Sequence, residues 1–111
     1  MIWKHLENDT QLHQLIELSQ TKLQAIFKHS TRCSISCVAK SRMDKANIDA
    51  IDFYYLDLIA HRQLSNLIAE TFNVKHESPQ ILLIKNGECI FDESHSGISV
   101  EELEEMVNNI N

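Results

Sequence analysis

The chain has 111 residues, a length typical of one domain, and a formal net charge of −6, with 43% hydrophobic and 23% charged residues. This composition predicts a folded globule and excludes a disordered chain. The acidic balance and the lack of a basic tract argue against nucleic acid and anionic membranes as partners. No segment resembles a signal peptide or reaches the length of a membrane span, so we expect one cytoplasmic domain over residues 1–111.

The first half of the chain alternates between helical and strand patterns. A helix is predicted over 8–20, and a strand over 22–29 whose apolar centre indicates burial on both faces. A second helix is predicted over 34–46, followed by a strand over 52–59 and a helix over 61–73. The residues at helical spacing in the second helix are Ile35, Val38, Ala39 and Arg42 or Met43.

The second half predicts a hairpin and a closing helix. Pro79, the only proline, precedes a strand over 80–85, and Asn86-Gly87 is typical of a two-residue hairpin turn before a returning strand over 88–92. Ser99 is expected to cap the last helix, with Glu102 three residues later. Strand-helix-strand units favour parallel pairing, so we expect an α/β fold with a mixed sheet of about four strands flanked by helices.

Cys33 lies where the first long strand ends and a helix begins. Unpaired N–H groups and a partial positive charge at a helix N-terminus favour a thiolate over a thiol. In the quartet 33–36 a serine, Ser36, occupies the position that a second cysteine holds in a CxxC motif. Ser36 cannot form a disulfide, although it can offer a hydrogen bond. An odd count of three cysteines does not indicate a disulfide framework, and no zinc-site spacing is present.

The other cysteines and the nearby basic residues allow more than one interpretation. Cys37 follows Cys33 by one helical turn and is either a resolving thiol or a small buried side chain; the strain of a disulfide at this spacing favours burial. Cys89 is interpreted as core packing. Arg32, with Lys28 and His29 nearby, either stabilises the thiolate and holds ligand carboxylates or is a solvated surface charge.

The element order, with a cysteine opening a helix and a proline opening the hairpin strand, resembles the thioredoxin fold. In that fold a cis-proline loop faces the active cysteine, so the resemblance implies that the Ser78–Pro79 bond is cis. The aspartate that thioredoxins carry six residues before their first cysteine is replaced here by Phe27. A dithiol thioredoxin is therefore disfavoured.

Residues 28–31 followed by a Cys-x-Ile-Ser quartet closely resemble the monothiol bacilliredoxins of the YtxJ type, which belong to the bacillithiol system. The chain departs from the TCPIS-like family motif in two ways. Arg32 lies between Thr31 and Cys33, and Ser34 takes the place of the motif's proline.

The resemblance implies thiol–disulfide exchange in which Cys33 removes bacillithiol from S-bacillithiolated client proteins. Bacillithiol is then the co-substrate, with no tightly bound cofactor and no metal. Two alternatives are an iron–sulfur carrier like the CGFS glutaredoxins and a non-catalytic adaptor in which Cys33 is buried. The residues implied to stabilise the thiolate or bind substrate are Thr31, Arg32, Ser34, Ile35, Ser36, Ser78 and Pro79.

Overall fold

A computed structural model describes residues 1–110, which form a mixed sheet of five strands in the order β1-β3-β2-β4-β5. β1, β3 and β2 are mutually parallel, whereas β4 runs antiparallel to β2 and β5 antiparallel to β4. The strands are β1 (Lys4–His5), β2 (Leu23–His29), β3 (Ile51–Asp57), β4 (Gln80–Lys85) and β5 (Glu88–Ser94).

Four helices flank the sheet, and the predicted order of elements is confirmed. They are α1 (Asp9–Leu18), α2 (Ser34–Met43), α3 (Arg62–Phe72) and α4 (Val100–Ile110), with a 3-10 turn at His95–Gly97 before α4. The fifth strand is the short β1, which pairs with the edge of β3. Helix α2 ends at Met43, three residues before the predicted end.

Local polar chemistry fixes several of the element ends. The Asn8 side-chain oxygen accepts a hydrogen bond from the Gln11 amide at 2.9 Å, which caps α1. Ser99 caps α4 by accepting from the Glu102 amide at 3.2 Å. Asn86 and Gly87 have φ angles of 52° and 77°, the left-handed pair that suits a tight hairpin turn, so the predicted β4–β5 hairpin is confirmed.

Two apolar cores lie on opposite faces of the sheet. The first packs β2 and β3 against α2 and α4, and the second packs the same strands against α1 and α3. Side chains alternate along β2, so Phe27 enters the first core and Ile26 the second. Burial of β2 on both faces agrees with the prediction. No helix within residues 1–110 combines the length and apolar character needed to cross a bilayer.

Candidate active site

Cys33 is the N-cap residue of α2 and lies directly beyond the carboxyl end of β2. Its backbone is extended (φ −112°, ψ 121°), and its side chain makes no capping hydrogen bond. The Cys33 amide donates to Ser30 O at 3.2 Å, and its carbonyl accepts from the Cys37 amide at 3.0 Å. The thiol is half-buried. Cys33 is therefore a partly accessible sulfur beside the positive end of a helix dipole.

Ser36 connects the first turn of α2 to the end of β2. Its side chain is fully buried, and its hydroxyl oxygen accepts a hydrogen bond from the Ser30 amide at 3.0 Å. The same oxygen lies 2.7 Å from Nδ1 of His29. A hydroxyl that accepts one N–H can still donate its own proton, and the His29 nitrogen is its nearest acceptor. Ser36 thus holds Ser30 and α2 in place at the position where a CxxC motif has its second thiol.

His29 is buried beneath the Cys33 turn and is neutral at neutral pH. Its ring packs 5.9 Å from the Phe27 ring and 5.5 Å from the Tyr55 ring, measured between centroids. Burial lowers the pKa of His29, and the Lys40 ammonium lowers it further, although the Asp57 carboxylate acts in the opposite direction. A neutral imidazole has one bare nitrogen, which suits the Ser36 hydroxyl as a donor.

An aromatic cluster packs the side of α2 that carries Lys40 against the β1 edge of the sheet. The Lys40 ammonium lies 5.8 Å from the Trp3 ring centroid and 5.7 Å from that of Tyr55. Trp3 Nε1 donates to the Asp44 carboxylate at 2.6 Å, and Lys40 approaches the same carboxylate at 3.1 Å. Burial raises the pKa of Tyr55, with the nearby Asp57 and Cys37 adding to the shift. The segment before β1 therefore packs against α2.

The Ser78–Pro79 bond is cis, as the resemblance to thioredoxins implied. Pro79 is buried, and its carbonyl accepts a hydrogen bond from the His95 amide at 3.0 Å. The Ser78 hydroxyl is buried and has no hydrogen-bond partner within residues 1–110. His95 in turn lines an open groove with Ile35, so the proline loop and the start of α2 border the same region through the 3-10 turn.

A family model described as monothiol bacilliredoxin BrxC matches residues 4–103. The chain belongs to the monothiol bacilliredoxin family. It is similar to a solved structure described as an oxidoreductase candidate with a thioredoxin fold, at 37% identity and a TM-score of 0.81, over 91% of this chain and 89% of that one. This bacilliredoxin is accordingly a thiol–disulfide oxidoreductase with a thioredoxin-like fold.

Two thioredoxins extend the comparison of the fold. The Fasciola hepatica thioredoxin is 17% identical with a TM-score of 0.73, covering 97% of the bacilliredoxin and 99% of its own chain. The Trypanosoma brucei brucei thioredoxin is 13% identical with a TM-score of 0.75, covering 98% and 90%. At these identities the likeness concerns the backbone fold alone.

Cys37 of this bacilliredoxin is exposed, so the prediction that it is a small buried side chain is wrong. The inward positions of α2 are Ser36, Ala39 and Met43, which leaves position 37 facing outward. The Cys37 sulfur lies 4.0 Å from the carbonyl oxygen of Thr31, over the turn that precedes Cys33.

The remaining predicted residues fall into two groups. Thr31 and Arg32 are exposed in the turn before Cys33, as are Ser34 and Ile35 on the first turn of α2. Cys89 lies on β5, where its half-buried thiol donates to Phe91 O at 3.3 Å and packs against the core of α1 and α3. Burial raises the pKa of the Cys89 thiol, and its position agrees with a packing role.

Lys28 does not face the site, so its predicted role in holding ligand carboxylates is wrong. It is fully buried on the opposite face of β2 from His29, where its ammonium donates to Ser65 O at 3.1 Å and approaches His76 Nδ1 at 3.2 Å. Burial, together with the nearby Arg62 charge, lowers the pKa of Lys28 to about 8. The strict alternation of a strand would have placed residues 28 and 29 on different faces.

The sequence did not reveal that one side of α2 carries exposed aliphatic side chains. Ile35 and Val38, predicted on the buried face of the helix, are 55% and 53% exposed. Together with Arg42, His95 and Ser96 they line the open groove beside the start of α2. Their i, i+3, i+7 spacing was the available signal, but that spacing alone does not say which side of a helix meets the core.

Proposed function

We propose that this bacilliredoxin removes bacillithiol from S-bacillithiolated proteins through a single nucleophile, Cys33. The observation that carries the proposal is the half-exposed Cys33 sulfur at the N-terminus of α2, in a chain whose Ser36 occupies the usual resolving position and is buried. Family membership supports the same chemistry. A site of this kind exchanges one thiol for another and takes its second thiol from outside the CxxS quartet.

The proposed reaction has two thiol–disulfide exchanges. The Cys33 thiolate attacks the bacillithiol sulfur of the mixed disulfide, a new S–S bond forms, and the client sulfur leaves as a thiolate that takes up a proton. A second bacillithiol thiolate then attacks the bacillithiol sulfur held by Cys33. Bacillithiol disulfide leaves, and Cys33 returns to its thiolate. Bacillithiol is thus a co-substrate in this proposal, with no tightly bound cofactor and no metal.

The surrounding residues support binding of the mixed disulfide. Arg32 is exposed immediately before Cys33 and is suited to the malate carboxylates of bacillithiol. Ser78 and Pro79 form the cis-proline loop of the proposed binding surface, in which the Ser78 hydroxyl itself is buried. Thr31, Ser34 and Ile35 complete the accessible surface around the sulfur. We place this reaction in the cytoplasm, where low-molecular-weight thiols keep protein cysteines reduced.

Cys37 is the one other accessible thiol near Cys33 within residues 1–110. Its exposure keeps it as a candidate resolving residue, since an attack on the Cys33–bacillithiol disulfide needs an accessible sulfur. The strain of a disulfide across one helical turn argues for the external thiol instead. The two routes differ in their product, because only the internal route forms a Cys33–Cys37 disulfide.

A bacillithiolated client offered to four proteins tests the proposal. Wild type and the Cys37→Ala variant should release the client thiol, whereas Cys33→Ala should lose release by at least about a hundredfold, because no nucleophile remains. Cys89→Ala, which changes a thiol on the other side of the sheet, is the matched control. Mass spectrometry should find the bacillithiol adduct on Cys33.

Client release that survives the loss of Cys33 contradicts the proposal. Accumulation of the adduct in Cys37→Ala, with a Cys33–Cys37 disulfide in wild type, would assign resolution to Cys37. A CGFS-type iron–sulfur carrier stays the alternative prediction, and a stable visible absorbance after anaerobic reconstitution with iron and sulfide would favour it.

A further inference from the structure

The outward side of α2 carries an apolar surface next to the reactive sulfur. Ile35 and Val38 are more than half exposed one helical turn apart, and they open onto a groove of about 250 Å³ with the buried Ala39 at its floor. His95 and Ser96 of the 3-10 turn line the same groove. Two large aliphatic side chains exposed together beside an active cysteine are typical of an interaction surface.

The segment around α2 is positively charged in an otherwise acidic protein, although Lys40 lies on the side that packs against Trp3 and Tyr55. Residues 32–45 contain four basic residues and one acidic residue, whereas the whole chain has a net charge of −6. Lys40 is paired with Asp44, but Arg42 and Lys45 form no ion pair within residues 1–110. Two cations without an ion pair therefore follow the apolar pair: Arg42 in the last turn of α2 and Lys45 just beyond its end, where Glu101 of α4 lines the same hollow.

We propose that the α2 surface, defined as Ile35, Val38, Arg42 and Lys45, binds the client polypeptide beside its modified cysteine. An apolar client side chain packs on Ile35 and Val38, and an acidic one pairs with Arg42 and Lys45. This inference rests on the proposed function, since it names a feature of the client that the Cys33 reaction would prefer.

Helix geometry sets the spacing of the client residues. The nine residues from Cys33 to Arg42 rise about 13 Å at 1.5 Å per residue. An extended client chain covers that distance in about four residues at roughly 3.3 Å each. The preferred client therefore has an acidic residue about four positions from its modified cysteine, with an apolar residue about halfway between them.

Other occupants fit the surface less well. A second copy of this chain packed on the surface about a two-fold axis would present the same four residues, which include no carboxylate to pair with Arg42 and Lys45. Bacillithiol itself is polar and anionic and gains little from two aliphatic side chains. An acidic, partly apolar peptide matches both halves of the surface.

Two bacillithiolated peptides that differ in one residue provide the test. The first has glutamate four positions from its cysteine, and the second has lysine there. Wild type should release the glutamate peptide about three- to tenfold faster at low ionic strength, and high salt should reduce the difference. Arg42→Glu should reverse the preference. Lys85→Glu, the same charge change at the opposite end of the sheet, should preserve it.

A binding measurement separates this inference from the reaction itself. Peptides with serine in place of cysteine are titrated into the Cys33→Ser protein while the α2 amides are followed by NMR. Charge-dependent shifts at Ile35 and Val38 support the surface even if transfer fails. Equal release of both peptides, shifts caused by bacillithiol disulfide in place of peptide, or a dimer that Val38→Asp dissociates would each overturn the proposal.

Discussion

Lys28 and His29 are consecutive residues at the end of β2, and both are buried polar side chains, but they support opposite sides of the site. His29 contacts Ser36 and through it the first turn of α2. Lys28 contacts Ser65 of α3 and His76, which lies in the loop that leads to Pro79. One residue thus stabilises the segment that carries Cys33, and the other stabilises the approach to the cis-proline.

These two residues, called here the His29 anchor and the Lys28 anchor, differ in charge and in hydrogen bonding. The His29–Ser36 pair is neutral and includes a backbone amide, so every member has a partner. Lys28 is an ammonium with no carboxylate within salt-bridge distance among the described residues, and its burial lowers its pKa. The comparison indicates that the cysteine segment is held by satisfied neutral bonds, whereas the proline loop is held by a bond to a titratable cation.

The largest expected effect comes from removing the hydroxyl on the cysteine side. Ser36→Ala should lower the free energy of unfolding by about 2 kcal/mol, because it leaves the part-buried Ser30 amide and the buried His29 without this partner. Ser65→Ala, at an equally buried serine on the other face, removes one 3.3 Å contact to His76 and should cost about 1 kcal/mol or less. Urea denaturation of both variants measures the difference, and equal losses would contradict the comparison.

An intermediate effect is expected from the pH dependence of the Lys28 anchor. The pKa of Lys28 is 10.5 in the unfolded chain and about 8 in the folded one, so between these values the unfolded chain binds the extra proton. Stability should therefore rise with pH by up to about 2 kcal/mol from pH 8 to pH 10, and well below pH 8 the cost of the buried charge is fully present. Lys28→Met should abolish this rise.

The window for that measurement closes near pH 10. The pKa values of Tyr54, Tyr55 and the Cys89 thiol are raised by burial, so their ionisation in the unfolded chain lowers stability at higher pH. For Cys89, whose ordinary pKa is 9.0, this opposing effect begins inside the window. Lys85→Met, which removes a lysine outside this cluster, is the control. A rise that persists in Lys28→Met would assign it to another group.

The smallest expected effect is the loss of stability at acidic pH that the lowered pKa of His29 causes. Burial and the Lys40 charge place the pKa of His29 below its ordinary 6.5, so the unfolded chain binds a proton first as the pH falls. Stability should decline below pH 6.5 until the folded pKa is reached. His29→Asn keeps a polar atom near Ser36 but cannot titrate, so it should flatten this decline.

His76 provides the corresponding test on the other face. Burial and then the Lys28 and Arg62 charges lower the pKa of His76. His76→Asn should therefore also reduce the decline in stability below pH 6.5, called here the acid limb. The exposed His13→Asn is the matched control. Thermal unfolding of the three variants between pH 5 and pH 7 measures each contribution; an unchanged acid limb in His29→Asn would show that His29 is not protonated on unfolding.

The sequence by itself determined the order of elements and the location of the reactive corner. Hydrophobic periodicity, the Asn8 and Ser99 caps and the Asn86-Gly87 turn are local signals, and each acts over a few residues. Cys33 could be placed at the strand–helix junction for the same reason. The cis bond at Pro79 needed the resemblance to thioredoxins, because a lone proline does not reveal its isomer.

Only the tertiary structure decided which sides of α2 and β2 are buried. The apolar positions of α2 extend over more than one side, and contact with the sheet selects Ala39 and Met43 over Ile35 and Val38. The same contact buries Ser36 and leaves Cys37 exposed, although both are small residues that fit either environment. In β2, where both faces are covered, the polar Lys28 and His29 are buried because α2, α3 and the proline loop supply their hydrogen-bond partners.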